Sequence, residues 1–127
     1  MTKMNIELEL QYPPSGNTGT RHTRGGGHYK TDKVKAYRSA MALFLLGLGV
    51  GANSGRKPLA GPLRISWAIA PPDRRARDVD NFRKEICDAL TLGGLWADDS
   101  NKVIKYESYE WLEPVPNGKV FLSVEVI

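Results

Sequence analysis

The chain has 127 residues, enough for one domain with its own core, and 41% hydrophobic with 25% charged residues exclude a wholly disordered protein. Lysine and arginine outnumber aspartate and glutamate by 18 to 14, so the formal net charge is +4. The single cysteine, Cys87, excludes an intrachain disulfide and favours a reducing compartment. The apolar run from Met41 to Val50 is too short for a membrane span. We therefore expect a cytoplasmic protein with no membrane contact.

Periodicity of apolar residues predicts the secondary structure in chain order. We expect a strand at 5–12, a polar glycine-rich loop at 15–30, a helix at 33–46, a linker at 51–58, a strand at 63–69, a helix at 79–92, and strands at 103–112 and 119–126. Asn117-Gly118 is a strong turn signal and predicts that the last two strands form a hairpin. The order β-α-β-α-β-β predicts an α+β fold, with residues 1–127 as a single domain containing one mixed sheet of about four strands and two main helices.

Basic residues are concentrated in two places. The glycine-rich loop contains Arg21, Arg24, His28 and Lys30. The segment before the second helix contains Arg74, Arg75 and Arg77. From residue 107 onward the acids predominate. This asymmetry favours a basic face that binds a polyanion such as nucleic acid, although the same charges would also serve a solvated surface that keeps the protein soluble.

The second predicted helix separates apolar and charged residues. At 100° per residue, Phe82, Ile86 and Leu90 fall on one face with Val79 and Ala89. Asp80, Lys84 and Asp88 fall on the opposite face at i, i+4 and i+8. Taken alone, this stripe is better explained as a ladder of surface ion pairs, and we interpret Asp88 as a surface charge.

Further acids flank the helix and favour a metal site. Asp78 stands two residues before Asp80 at the strand-to-helix junction, and Asp98-Asp99 follow a double glycine after the helix. Carboxylate oxygens are hard ligands of the kind that Mg²⁺ prefers. A calcium loop starting at Asp78 is excluded because Phe82 occupies its fifth position, and zinc is unsupported because both histidines lie in the glycine-rich loop.

The segment "RDVDNFRKEICDALTLGGLWADD" closely resembles the signature of RusA-like Holliday-junction resolvases: an R-D-x-D-N start, a helix ending in D-A-L-T, and a G-x-W-x-D-D turn. "YPPSGN" and "HYKTDKVKAYR" are similar to the segments after the first strand and at the first helix of that family. The glycine run in "TGTRHTRGGGH" departs from the pattern.

The resemblance implies a site and an activity. Asp78, Asp80 and Asp99 match the catalytic carboxylates and the ligands of Mg²⁺, Lys84 matches the essential lysine, and Asn81 and Asp98 match supporting positions. The family is homodimeric and cuts four-way DNA junctions by paired symmetric nicks in recombination and repair. A bacterial or phage origin follows from the resemblance alone.

Three functions are therefore compared. The first is a Mg²⁺-dependent endonuclease that resolves four-way junctions, holds branched DNA through its basic clusters and needs no other cofactor. The alternative is a non-catalytic basic DNA-binding module with the resolvase fold. A third, a Mg²⁺ phosphohydrolase acting on nucleotides, is weakened because no P-loop glycine motif precedes a helix.

Overall fold

The computed structural model describes residues 5–14, 20–22, 28–30, 32–50, 55 and 57–127. The elements in this part of the chain are strands β1 (Asn5–Leu10), β2 (Thr20–His22), β3 (His28–Lys30), β4 (Leu63–Ala70), β5 (Ile104–Trp111) and β6 (Lys119–Val126), and helices α1 (Asp32–Gly47) and α2 (Val79–Leu92). The predicted α+β class, with one mixed four-stranded sheet and two main helices, is confirmed.

Strand β4 holds the main sheet together. The strand order is β1-β6-β4-β5, and β4 pairs antiparallel with β6 and parallel with β5. The period-two pattern of β4 buries Leu63, Ile65, Trp67 and Ile69, each at most 2% exposed. A strand paired on both sides, with one face this apolar, belongs in the interior of a sheet.

The predicted hairpin between the last two strands is wrong. Asn117 and Gly118 do form a turn with positive φ values of 66° and 69°, but β6 pairs with β4 and β1 and not with β5. After β5 the chain continues along the end of β4, because the Leu112 N–H donates to Ile69 O at 2.7 Å and the Val115 N–H donates to Pro71 O at 3.0 Å. The chain thus passes the end of β4 before it turns, and β6 returns on the other side of that strand.

The glycine-rich segment contains structure that its sequence pattern did not predict. β2 and β3 form a two-stranded antiparallel ribbon within the segment expected to be a loop at 15–30. Such short strands carry no alternation of apolar residues, so the periodicity of apolar residues does not predict them. Residues 15–19 and 23–27, and most of the predicted linker at 51–58, lie outside the described residues.

The chain divides into two compact units. The sheet unit comprises Met1–Tyr12, Leu59–Ala76 and Trp96–Ile127, and the helical unit comprises Pro13–Pro58 and Arg77–Leu95. The organisation of all 127 residues as one domain stays a prediction. Neither helix in the described ranges is long and apolar enough to cross a membrane.

The helical unit buries polar groups along with its apolar side chains. Glu85 of α2 is only 2% exposed, and Tyr37 of α1 is 7% exposed. Burial raises the pKa of the Tyr37 hydroxyl, and electrostatic interactions with Cys87 and Glu85 raise it further. The Tyr37 hydroxyl is therefore kept neutral between α1 and α2 well beyond neutral pH.

We predict that Gly61→Ala destabilises the sheet unit. Gly61 has a φ of +86°, and an added Cβ would lie 2.6 Å from the Val103 carbonyl oxygen, which is backbone and cannot rotate away. Strain and overpacking together should lower the free energy of unfolding by about 3 kcal/mol, as measured by urea denaturation. Gly49→Ala is the control, since Gly49 has a φ of +74° but an added Cβ there would have nothing within 4 Å. Backbone strain alone should lower the free energy of unfolding of this variant by about 1 kcal/mol. Equal losses for the two variants would contradict the close contact.

Candidate active site

Asp78 fixes the beginning of α2. Its backbone is extended, with φ −98° and ψ 126°, and its Oδ1 accepts the Asp80 N–H at 3.1 Å. This is an N-cap, in which a side-chain oxygen satisfies a backbone donor that has no partner inside the helix. An ionised carboxylate has about four lone-pair sites, so one cap hydrogen bond leaves Asp78 able to bind a further group.

The polar side of α2 faces solvent as the sequence predicts. Phe82, Ile86 and Leu90 are at most 5% exposed, whereas Asp80 and Lys84 are exposed. Asn81, next to Asp80, is exposed as well, and Val79 is half-buried. The first two turns therefore present a carboxylate, an amide and an ammonium group on the surface, close to the capping carboxylate of Asp78.

The surface ion pairs expected along Asp80, Lys84 and Asp88 are not formed in the described part of the chain. Within the described residues Lys84 makes no ion pair with Asp80 or Asp88. Asp88 instead lies 3.5 Å from Nη2 of Arg38 on α1, and its side chain is 38% exposed. Asp88 thus ties the two helices together, which corrects its interpretation as a simple surface charge.

The turn that carries Asp98 and Asp99 is anchored in the sheet unit. Trp96 is 1% exposed and forms a bridge with Leu59, and the Ala97 N–H donates to Leu59 O at 2.8 Å. These contacts fix the backbone immediately before the two aspartates.

The two neighbouring aspartates have different surroundings. Asp98 is exposed, and its Oδ1 accepts the Asp99 N–H at 2.9 Å. A hydrogen bond from the Ser100 side chain lowers the pKa of Asp98, as do the backbone N–H groups of Asp99 and Ser100 and, more weakly, the charge of Lys102. Asp98 therefore holds its own turn together, and Asp99 is half-buried beside it.

The predicted metal ligands divide between the two units. Asp78 and Asp80 belong to the helical unit, and Asp99 belongs to the sheet unit. In the described ranges no group of three or more His, Cys, Asp or Glu side chains is close enough to hold a metal ion. The convergence of these three carboxylates stays a prediction. The chemistry of the donors fits Mg²⁺, which typically binds one or two carboxylates together with waters and substrate phosphates.

Two of the arginines before α2 form ion pairs at the protein surface. Nη2 of Arg74 lies 3.1 Å from Glu113, and Nε of Arg75 lies 3.9 Å from Asp73; both arginine side chains are more than 80% exposed. Exposed pairs of this kind contribute about 0–1 kcal/mol, so a phosphate group could displace the carboxylate from either guanidinium. Arg77 is half-buried directly before Asp78.

The other predicted DNA contacts lie in or near the ribbon. Arg21 belongs to β2, and His28 and Lys30 belong to β3, so their backbones are placed in paired strands although their side chains are not described. Arg24 lies outside the described residues.

Comparison with known proteins defines the class to which this fold and these residues belong. The family described as endodeoxyribonuclease RusA matches residues 11–125. The chain therefore belongs to the RusA family. A crossover junction endodeoxyribonuclease of Enterobacteria phage 82 is 40% identical over 113 residues, which cover 87% of this chain and 85% of the phage protein. Crossover junction endodeoxyribonucleases of Escherichia coli and Shigella sonnei are 39% and 38% identical over 113 residues, with the same shares covered.

We predict that substitutions can separate the capping hydrogen bond of Asp78 from its negative charge. Asp78→Ala removes the acceptor for the Asp80 N–H and should lower the free energy of unfolding by about 1 kcal/mol. Asp78→Ser keeps a capping oxygen without the negative charge and should unfold within about 0.5 kcal/mol of the wild type. Urea denaturation followed by circular dichroism measures both. If Asp78→Ser were as unstable as Asp78→Ala, the cap would not be the structural role of Asp78.

Proposed function

We propose that this protein is a Mg²⁺-dependent endonuclease that resolves four-way DNA junctions by paired symmetric nicks, in recombination and repair in the bacterial cytoplasm. The observation that carries the proposal is the exposed set of Asp78, Asp80, Asn81 and Lys84 at the start of α2, within the region that matches the RusA family. The printed names of the relatives, which describe crossover junction endodeoxyribonucleases, support the same activity.

Each residue of the set has a proposed task. Asp78 and Asp80, with Asp99 as the third carboxylate, would hold Mg²⁺, whose chemistry is to polarise a phosphate and to lower the pKa of bound water. Lys84 lies one turn after Asp80 on the exposed side, where its ammonium can bind a phosphate oxygen as negative charge develops. Asn81 can donate a hydrogen bond to the same phosphate group. Asp98 keeps the turn of Asp99 in place through its hydrogen bonds.

The basic clusters would hold the arms of the junction. Arg74 and Arg75 have exposed guanidinium groups that can make paired hydrogen bonds to phosphates, and Arg77 immediately precedes the catalytic set. Arg21, Arg24, His28 and Lys30 would extend this contact from the ribbon and its adjoining segment. Binding through phosphates releases counterions, so junction affinity should fall steeply with salt.

A homodimer is part of the proposal, because a junction with two-fold symmetry needs two cuts and a two-fold dimer supplies two sites. An apolar surface on the helical unit supports it. Large side chains near the ends of the two helices are 38–69% exposed: Leu43, Phe44, Leu46, Leu48 and Leu92. The two helix ends adjoin, since a Cβ added at Gly93 would lie 2.7 Å from Leu45 Cδ1. Exposed apolar patches of this kind commonly mark protein interfaces.

We predict that Asp80→Asn abolishes cleavage and leaves junction binding intact. The substitution removes a carboxylate ligand while keeping the size of the side chain, so the rate of cutting a synthetic four-way junction should fall about 1000-fold. Binding, measured by gel shift in EDTA, should stay within about threefold of wild type, since phosphate contacts dominate affinity. Asp32→Asn is the matched control, because Asp32 is likewise an exposed acid in the first turn of a helix.

Two outcomes would contradict this assignment. Cutting by Asp80→Asn at the rate of the Asp32→Asn control would remove Asp80 from the catalytic set. Tight junction binding by the wild type without cutting in any divalent cation would favour the non-catalytic DNA-binding module.

We predict that Leu43→Glu combined with Leu92→Glu converts a dimer into a monomer. Both side chains are more than 65% exposed, so neither change disturbs the core of the unit, but charges at an apolar interface oppose its burial. Light scattering after size exclusion measures the mass. Val115→Glu is the control, since Val115 is a 37% exposed apolar residue in the connection after β5. A double variant that remains a dimer would place the interface elsewhere.

A further inference from the structure

The solvent-facing side of the main sheet contains a trench. Ser123 of β6, Ser66 of β4 and Ser108 of β5 are register partners in neighbouring strands, and Glu7 of β1 completes the row. Four adjacent strands thus present one acid and three small hydroxyl side chains in a line that crosses them. The depression above this row has a volume of about 480 Å³.

Larger side chains of the neighbouring rows form the walls. On one side Phe121, which is 41% exposed, stands beside Ala68. On the other side the Arg64 guanidinium lies 4.6 Å from the centre of the Tyr106 ring and 3.4 Å from the Glu125 carboxylate. The floor is therefore polar and small, an aromatic ring stands on one side of it, and the paired Arg64 lies in the neighbouring row on the other side.

The two ends of the trench are acidic. Glu7 and Glu9 lie at the β1 end, and Glu110 lies at the β5 end. Lys119 pairs with Glu9 at 2.6 Å, but neither Glu7 nor Glu110 forms an ion pair with another described residue. The basic residues on this face, Arg64 and Lys119, are each paired with a carboxylate, so the acids at the two ends favour a cationic partner over phosphates.

We propose that this groove binds a basic, extended segment of a partner protein, in which an apolar residue lies between two lysines or arginines. The row spans three inter-strand spacings, or about 14 Å. Residues four apart in an extended chain are separated by about 13–14 Å, so a basic residue at each end reaches the carboxylates at the two edges while the central side chain contacts Phe121. The electrostatic complementarity selects a basic partner, and the site is separate from the proposed nuclease activity.

The test uses the full-length protein and a fluorescein-labelled peptide, Gly-Lys-Ser-Leu-Ser-Lys-Gly, in a polarisation assay at low salt. The wild type should bind it and should not bind the peptide in which both lysines are replaced by glutamate. Glu110→Gln should weaken binding about threefold, and Glu7→Gln with Glu110→Gln about tenfold. Glu113→Gln, an equally conservative change at an exposed acid outside the groove, should leave binding unchanged. Ser66→Leu, which fills the trench without changing charge, should abolish binding.

Several results would overturn the proposal. Equal affinity of the wild type and the doubly substituted protein, or equal binding of the glutamate peptide, would show that the groove does not select a basic segment. A loss of junction-DNA affinity in Ser66→Leu, measured without the peptide, would assign this face to DNA. A change in the sedimentation of the protein alone on substituting Glu7 and Glu110 would assign it to a second copy of the chain. Cleavage activity is a separate readout, so loss of peptide binding with normal cutting identifies a failure of this proposal only.

Discussion

Burial of one face of α2 is the constraint on which the candidate site depends. Phe82, Ile86 and Leu90 are all in the core, which fixes the rotation of the helix about its axis. At 100° per residue, that rotation places Asp80 and Lys84 together on the exposed side, about 6 Å apart along the axis. The N-cap of Asp78 fixes where the helix begins. The positions of these polar groups are thus set by apolar contacts that take no part in chemistry.

In the sheet unit, the alternation of buried and exposed residues along the strands likewise fixes where the charged side chains lie. The alternation of β4 buries one row of side chains and leaves Arg64, Ser66 and Ala68 on the opposite face. Its pairing with β5 on one side and β6 on the other makes that face a continuous surface, on which acids collect at both edges. The basic residues on this face, Arg64 and Lys119, are paired with Glu125 and Glu9, and the basic clusters lie instead in the segment that leads to α2 and in the β2–β3 ribbon. The protein thus separates groups suited to phosphates from groups suited to cations.

Local pattern predicted most elements but not how the strands pair. The bounds of α2 and β6 follow from periodicity and turn residues to the residue, because each element has one strongly apolar face. The order β1-β6-β4-β5 depends instead on pairing between distant strands, and no pattern within β5 or β6 shows that the connection after β5 follows the end of β4. The β2–β3 ribbon was missed for a similar reason, since backbone pairing alone supports it.

The surroundings of the candidate site could be predicted in part. Periodicity places Asp80 and Lys84 on the exposed side of α2, whereas the ion pair of Asp88 with Arg38 is a tertiary contact that periodicity does not encode. Buried Glu85 was missed because its neighbours Lys84 and Ile86 place it at the boundary between the two faces. Whether Asp99 joins Asp78 and Asp80 depends on packing over a long range, which periodicity does not encode.

The central claim is that these carboxylates support metal-dependent cutting of branched DNA. The most direct measurement is strand mapping of a synthetic four-way junction, labelled in turn on each strand and incubated with the wild-type protein. Our account predicts symmetric, ligatable nicks in two opposing strands with Mg²⁺ and none in EDTA. Cutting that persists in EDTA, or equal cutting of linear duplex and junction, would contradict it.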